Sequence, residues 1–196
     1  AIKLIRPEHF GDAEMKARFE REARTIARIS HPGVIALFDS GELPDGTAFL
    51  VMEQLRGHDL AHFLAECGPG TPAQVASLAR QASAALAAAH QAGIVHRDVK
   101  PANVFLADDP AGFRVKVLDF GLAKSMAWEK GLTQTGMVVG TPAFMAPEQV
   151  MDQELSASTD LYALAAVVWE ALTGLRLVKS EAVGAIFNEI LTAEAS

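Results

Sequence analysis

The sequence is 196 residues long, half of it apolar and 21% charged, with a formal net charge of −7. This composition is globular and sufficient for one substantial core or two small lobes; it excludes a disordered or fibrous chain. An acidic balance with scattered Lys and Arg argues against nucleic-acid binding, which needs a clustered basic face.

In chain order, AIKLI reads as a strand that begins without a preceding turn, so the N-terminal boundary reads as a cut into a sheet. From Glu14 to Ile29 the spacing predicts a helix with Phe19, Ala23, Ile26 and Ala27 on one side, stopped by His31-Pro32-Gly33. Strands are expected over Val34 to Asp39 and Thr47 to Met52, joined by the turn residues Pro44-Asp45-Gly46. Beyond Gly57 helices dominate. Thr71-Pro72 caps one whose apolar stripe is Val75, Leu78, Ala79, Ala82, Leu86 and Ala89, ending at Gly93. Short strands follow at Val104 to Leu106 and Arg114 to Leu118, then a long irregular stretch rich in Gly, Thr and Pro, of the kind that is usually functional. A last helix starts at the Ser156/Ser158 caps and runs to Gly174. Apart from Asp160 and Glu170 it is apolar all round, which predicts a buried axis in which Asp160 needs a specific partner.

The only cysteine, Cys67, permits neither a disulfide nor a thiolate zinc cluster within the chain; it is read as a small, partly buried apolar residue in a reducing, cytoplasmic setting. No signal peptide is visible. The most apolar run, Leu161 to Trp169, is far shorter than the ~20 residues of a membrane span, so no membrane contact is expected in this segment.

The chemistry concentrates in VHRDVKPANVFL, where Arg97, Asp98, Lys100 and Asn103 interrupt an otherwise apolar run. Taken alone, His96-Arg97-Asp98 is as easily a surface ion pair as a site. With Asp119-Phe120-Gly121 following at a second strand end, and with Lys3, Glu22, GTPAFMAPE over residues 140–148 and Asp160 in the same order, the chain resembles the protein kinases, specifically the bacterial-type (Hanks-type) serine/threonine kinases. The resemblance covers essentially the whole chain. It implies an α+β, two-lobed fold with a small, partial β-rich N-lobe with one helix over residues 1–55. A larger, mainly helical C-lobe would occupy 56–196.

What the resemblance implies follows the physics of phosphoryl transfer, in which positioning and charge stabilisation carry catalysis. Asp98 would take the proton of the attacking hydroxyl, and Lys100 would neutralise the γ-phosphate. Asn103 and Asp119 would supply hard oxygen ligands to Mg²⁺, or to Mn²⁺ in its place, bridging the phosphates of ATP. Lys3 would hold the α- and β-phosphates, itself paired with Glu22. Ala1, Met52 and Phe105 fall where the family encloses the adenine ring, and the backbone of Glu53 and Leu55 where it hydrogen-bonds the ring. Core packing accounts for Ala1, Met52 and Phe105 almost as well. Arg97 would meet a phosphate on Thr133 or Thr135, added by a second copy of the kinase, and Thr141 would hydrogen-bond near Asp98 and Lys100 in the substrate groove. Asp160 would bond the backbone of the His96-Arg97-Asp98 loop, while His31 and His90 are read as structural.

The chain also departs from the family. A Gly-rich loop before Lys3 is absent, Leu175-Arg176-Leu177-Val178 replaces a Pro-Phe sequence, and the arginine that pairs with Glu148 would lie in further helices. The expected function is transfer of the γ-phosphate of ATP to Ser or Thr of protein substrates. A pseudokinase, keeping the fold as a nucleotide-binding regulatory module, is the alternative, against which the complete set of acids and cations counts. A small-molecule phosphotransferase would have no use for GTPAFMAPE.

Overall fold

The computed structural model of the chain describes residues 1–5, 13–120 and 142–192, apart from the side chains of residues 13–16, 18 and 22. Its first unit is an antiparallel sheet of β1 (Ile2–Ile5), β2 (Leu37–Glu42) and β3 (Ala48–Met52), in the order β1-β3-β2, with helix α1 (Ala13–Ile26) preceding β2. Phe19, Ala23 and Ile26 recur at helical spacing on α1 and are buried, as are Ile5, Ala48 and Leu50 of the sheet.

The strand expected from Val34 begins instead at Leu37. Residues 33–35 are claimed by another partner: Val117 N–H donates to Gly33 O (2.7 Å), Ile35 N–H donates to Val117 O (3.2 Å), and Val34 forms a parallel bridge with Val117. Gly33 rests so closely on the helix beneath it that a Cβ there would stand 2.9 Å from Cβ of Ala85. Apolar character is the same for a sheet strand and for this seam, so pattern alone could not separate them.

The second unit contains β4 (Gly57–Asp59), β5 (Val104–Asp109) and β6 (Gly112–Val117), an antiparallel sheet in that order. Gly57 has φ +124°, and a Cβ would fall 2.1 Å from Leu106 O, so the close approach of β4 to β5 requires glycine. Helix α2 (Leu60–Cys67) starts from Asp59, whose Oδ1 accepts from His62 N–H at 2.8 Å. Helix α3 (Pro72–Gln91) has the expected Thr71 cap, closed reciprocally by Gln74, and buries Val75, Leu78, Ala82, Ala85, Leu86 and Ala89. Among the described residues from 142 onward come α4 (Pro147–Val150), α5 (Ala157–Thr173) and α6 (Val183–Thr192).

Two expectations need correction. Helix α5 buries Asp160, Ala163, Leu164, Val167 and Ala171, but Leu161, Trp169 and Leu172 are about half exposed, so among the described residues it is covered on one side only. Cys67 is exposed, because it closes the last turn of α2 just before Gly68. No helix among the described residues is long and apolar enough to cross a membrane.

Candidate active site

The loop between α3 and β5 carries His96, Arg97, Asp98, Lys100 and Asn103, and its shape is set by bonds from the core beneath it. Asp160, 1% exposed on α5, accepts the His96 N–H at Oδ2 (2.7 Å) and the Arg97 N–H at Oδ1 (2.8 Å). This supplies the partner that the sequence demanded for a buried acid. His90, at the end of α3, also reaches Asp160 Oδ2 at 2.7 Å, so a residue read as merely structural shares the anchor of the loop.

His96 is fully buried, and its protonation follows from its neighbours. Leu118 O can only accept, so Nε2 donates to it (2.8 Å), while Nδ1 accepts the Asp98 N–H at 3.2 Å. Both ring nitrogens are thus served by a neutral imidazole. Burial holds its pKa below the ordinary histidine value against the opposing pull of Asp160, Asp98 and Asp119. The ring leans on Phe120 at a centroid distance of 4.7 Å, which ties the loop to the residue after Asp119.

These braces hold strained backbone. Arg97 has φ +65° and Asp119 φ +51°, a left-handed conformation that costs a non-glycine residue on the order of 1 kcal/mol or more. The consequence is convergence. Lys100 Nζ lies 2.9 Å from Asp98 Oδ2, Asn103 Nδ2 donates to the same oxygen at 3.1 Å and to Asp98 O at 2.8 Å, and Leu118 N–H donates to Asn103 O at 2.9 Å. With Nδ2 committed to Asp98, Asn103 Oδ1 accepts no hydrogen bond from a described residue.

From the first sheet, Lys3 reaches Asp119, with Nζ 2.6 Å from Oδ1 and the two side chains 40% and 45% exposed. The expected ion pair of Lys3 with Glu22 involves a side chain outside the described set. Ala1 extends the β1–β3 pairing, its amino group donating to Met52 O (2.7 Å) and its carbonyl accepting from Met52 N–H (2.9 Å). Past Met52 the Glu53 N–H is committed to Ala36 O at 3.0 Å, and the Glu53 carboxylate to Ala36 N–H and Lys116, whereas no described hydrogen bond occupies Leu55 N–H. Phe105 lies partly buried on β5, opposite Asp59 and Lys116. Thr133, Thr135 and Thr141 lie outside the described residues. Arg97 Nε is buried and has no hydrogen-bond partner among them.

Sequence reasoning also passed over Gln149, just beyond the GTPAFMAPE segment. It is 4% exposed and donates from Nε2 to Arg97 O at 3.0 Å. A buried amide directly after a motif was the available signal, because such a group must find partners.

A protein kinase domain family model matches residues 1–195. The chain is 41% identical over 183 residues to the serine/threonine-protein kinase PknD of Mycobacterium tuberculosis, covering 93% of this chain and 27% of that protein. It is 41% identical over 175 residues to the kinase PknL of the same organism, covering 89% and 42%, and 37% identical over 98% of this chain to pkn3 of Myxococcus xanthus, of which it covers 36%. It thus spans less than half the length of these relatives. Among solved structures it resembles the M. tuberculosis PknI kinase domain in a double-mutant form, with a TM-score of 0.71, 29% identity, and coverage of 89% of this chain and 64% of that one. The sheet with one helix and the larger helical unit are therefore the two parts of a kinase fold, and the chain belongs to the protein kinase family, in its bacterial, Hanks-type branch.

Proposed function

We propose that the chain is the phosphotransfer domain of a protein serine/threonine kinase, residues 1–55 and 56–196 forming its lobes on either side of a hinge. The observation that carries this reading is the meeting of Lys100 Nζ and Asn103 Nδ2 on one oxygen of Asp98, on a loop held by buried bonds. In this reading the Ser or Thr hydroxyl of a protein substrate gives its proton to the Asp98 carboxylate as its oxygen bonds the γ-phosphorus, and the bond from that phosphorus to the β-phosphate oxygen breaks to release ADP. Lys100 meets the transferred charge, and Lys3 the α- and β-phosphates.

Asn103 Oδ1, left without a described hydrogen bond, and the half-exposed Asp119 carboxylate are hard oxygen donors of the type that Mg²⁺ takes, and Mn²⁺ is the substitute ion. The ion would neutralise phosphate charge, and these two residues would hold it. Glu53 C=O and Leu55 N–H, at the chain segment joining the two units, would take the adenine edge between Ala1, Met52 and Phe105. The orphaned Arg97 Nε supports a regulatory phosphate on Thr133 or Thr135, delivered by a second copy, because a phosphate offers strong acceptors to a guanidinium.

The test is phosphate incorporation from γ-labelled ATP with Mg²⁺ into the full-length protein and generic protein substrates, with the modified residues mapped by mass spectrometry. Asp98→Asn is expected to lower transfer by about 10²–10⁴-fold while leaving ATP affinity nearly intact. Nucleotide binding without any transfer by the parent protein would replace this reading with that of a regulatory pseudokinase.

A further inference from the structure

Arg97 precedes Asp98, and both of its backbone polar atoms are held from different elements. Its N–H is taken by Asp160 of α5 at 2.8 Å, and its carbonyl by Gln149 of α4 at 3.0 Å. The orientation of the Gln149 amide is not arbitrary. Its Oε1 faces the Ala146 N–H at 3.1 Å, which can only donate, so Nε2 must face the Arg97 carbonyl, which can only accept. One buried amide therefore joins the segment that starts at the Pro142–Phe144 turn to the residue that aims Asp98.

Among the described hydrogen bonds, no other side chain joins the Ala146 N–H to the Arg97 carbonyl, and Phe144, Met145 and Gln149 line the same small space as Arg97, Asp98 and Val99. Only a side chain with an acceptor and a donor on one planar group serves both ends. An aliphatic residue serves neither, and an ionised carboxylate turns two acceptors on each other at the Arg97 end. Because Arg97 is held at φ +65°, a conformation it would leave if released, loss of either fastening changes the direction in which the Asp98 carboxylate points.

We infer that Gln149 is a positioning residue of the phosphotransfer reaction, carrying the order of the 142–146 segment through the Arg97 carbonyl to Asp98. The inference rests on the kinase reading given above. Among the described residues the Gln149 side chain bonds the Ala146 N–H and the Arg97 carbonyl, so the hydrogen-bonded route from it to Asp98 runs through Arg97.

The experiment compares the full-length protein with Gln149→Leu and Gln149→Glu. For Gln149→Leu, kcat is expected to fall about 10–100-fold, the scale of an ångström-sized misplacement, with the KM for ATP within about twofold of the parent. Gln149→Glu keeps the shape and the acceptor for the Ala146 N–H. Its introduced carboxyl can donate to Arg97 O only when protonated, and burial favours that form. Its activity relative to the parent should therefore rise as pH falls from about 8 to about 6. The charged groups around this position are Arg97, Asp98, Asp160 and Glu148, and taking the ratio to the parent at each pH removes their own titration. This recovery occurs within one sample, so a misfolded variant cannot imitate it. A second readout needs no turnover: hydrogen exchange of the Arg97 amide should be faster in Gln149→Leu than in the parent. Parent-like kcat in Gln149→Leu, a pH-independent ratio for Gln149→Glu, or unchanged exchange would each overturn the positioning role. If the parent itself transfers no phosphate, the kinase reading fails separately, and the exchange comparison alone decides the role of Gln149.

Discussion

The loop carrying Asp98 and the strand bearing Lys3 both present charged side chains, but they are held by different means. Beneath the loop, Asp160 is 1% exposed and receives two backbone N–H groups and His90, and fully buried His96 bonds to Leu118 O. On the strand side, Lys3 meets Asp119 through a single described ion pair whose members are 40% and 45% exposed. Buried hydrogen bonds are costly to break because each orphaned group loses its water as well as its partner, whereas an exposed ion pair exchanges protein for solvent at little cost. The loop is thus a fixed template, and the Lys3 contact is one that a ligand can remake.

The contrast is tested most severely at Asp160. Asp160→Ala strips the acceptor from two buried backbone donors and from His90, and is expected to cost about 3–5 kcal/mol in denaturant unfolding. Phosphotransfer should fall at least as far as with Asp98→Asn, since Arg97 and His96 are released together. Asp160→Asn keeps one acceptor oxygen and should fall between the two proteins. Unfolding midpoints of Asp160→Ala equal to those of the parent would remove the template picture.

How much of this was legible in the sequence follows the same division. The helices α3 and α5 are set by apolar spacing and caps at Thr71, Ser156 and Gly174, all local signals. The motif residues of the loop stand out because charge in an apolar run demands a reason. The Val34 seam, the three-residue β4 and the exposed face of α5 did not show, because each depends on which distant element lies alongside, as Val117 does for Gly33 and Ile35. For the same reason Gln149 was passed over and His90, read as structural, was given no partner: their partners, Arg97 O and Asp160, lie 52 and 70 positions away. The left-handed backbone at Arg97 and Asp119 is likewise invisible in residue type, since neither is glycine.

A smaller effect sharpens the buried side of the comparison. Burial lowers the pKa of His96 in the folded protein, so between that value and the unfolded value near 6.5 the unfolded chain binds the extra proton. Stability is then fully present above about 6.5 and is lost as pH falls below it. His96→Gln removes this proton linkage, so its unfolding free energy should decline less steeply between about pH 6.5 and pH 5 than that of the parent. Equal slopes in urea titrations across that range would show that His96 is not the neutral, buried group described.

The smallest expected change in stability belongs to Lys3, and it is informative because a large functional change should accompany it. An ion pair this exposed contributes on the order of 0–1 kcal/mol, so Lys3→Met should shift the unfolding midpoint little. In the absence of nucleotide, Lys3 neutralises Asp119; with ATP bound, the proposed roles send Lys3 to the α- and β-phosphates and Asp119 to the metal ion. Lys3→Met should therefore weaken Mg²⁺–ATP binding and lower phosphotransfer, and do so while Mg²⁺-free nucleotide binding also declines. Asp119→Ala should spare the Mg²⁺-free binding and lose only its metal-dependent increment. Calorimetric titrations with and without Mg²⁺ separate the two patterns. If both variants lost the same increment, Lys3 and Asp119 would act as one fixed pair in the bound state, and the strand side would be as much a template as the loop.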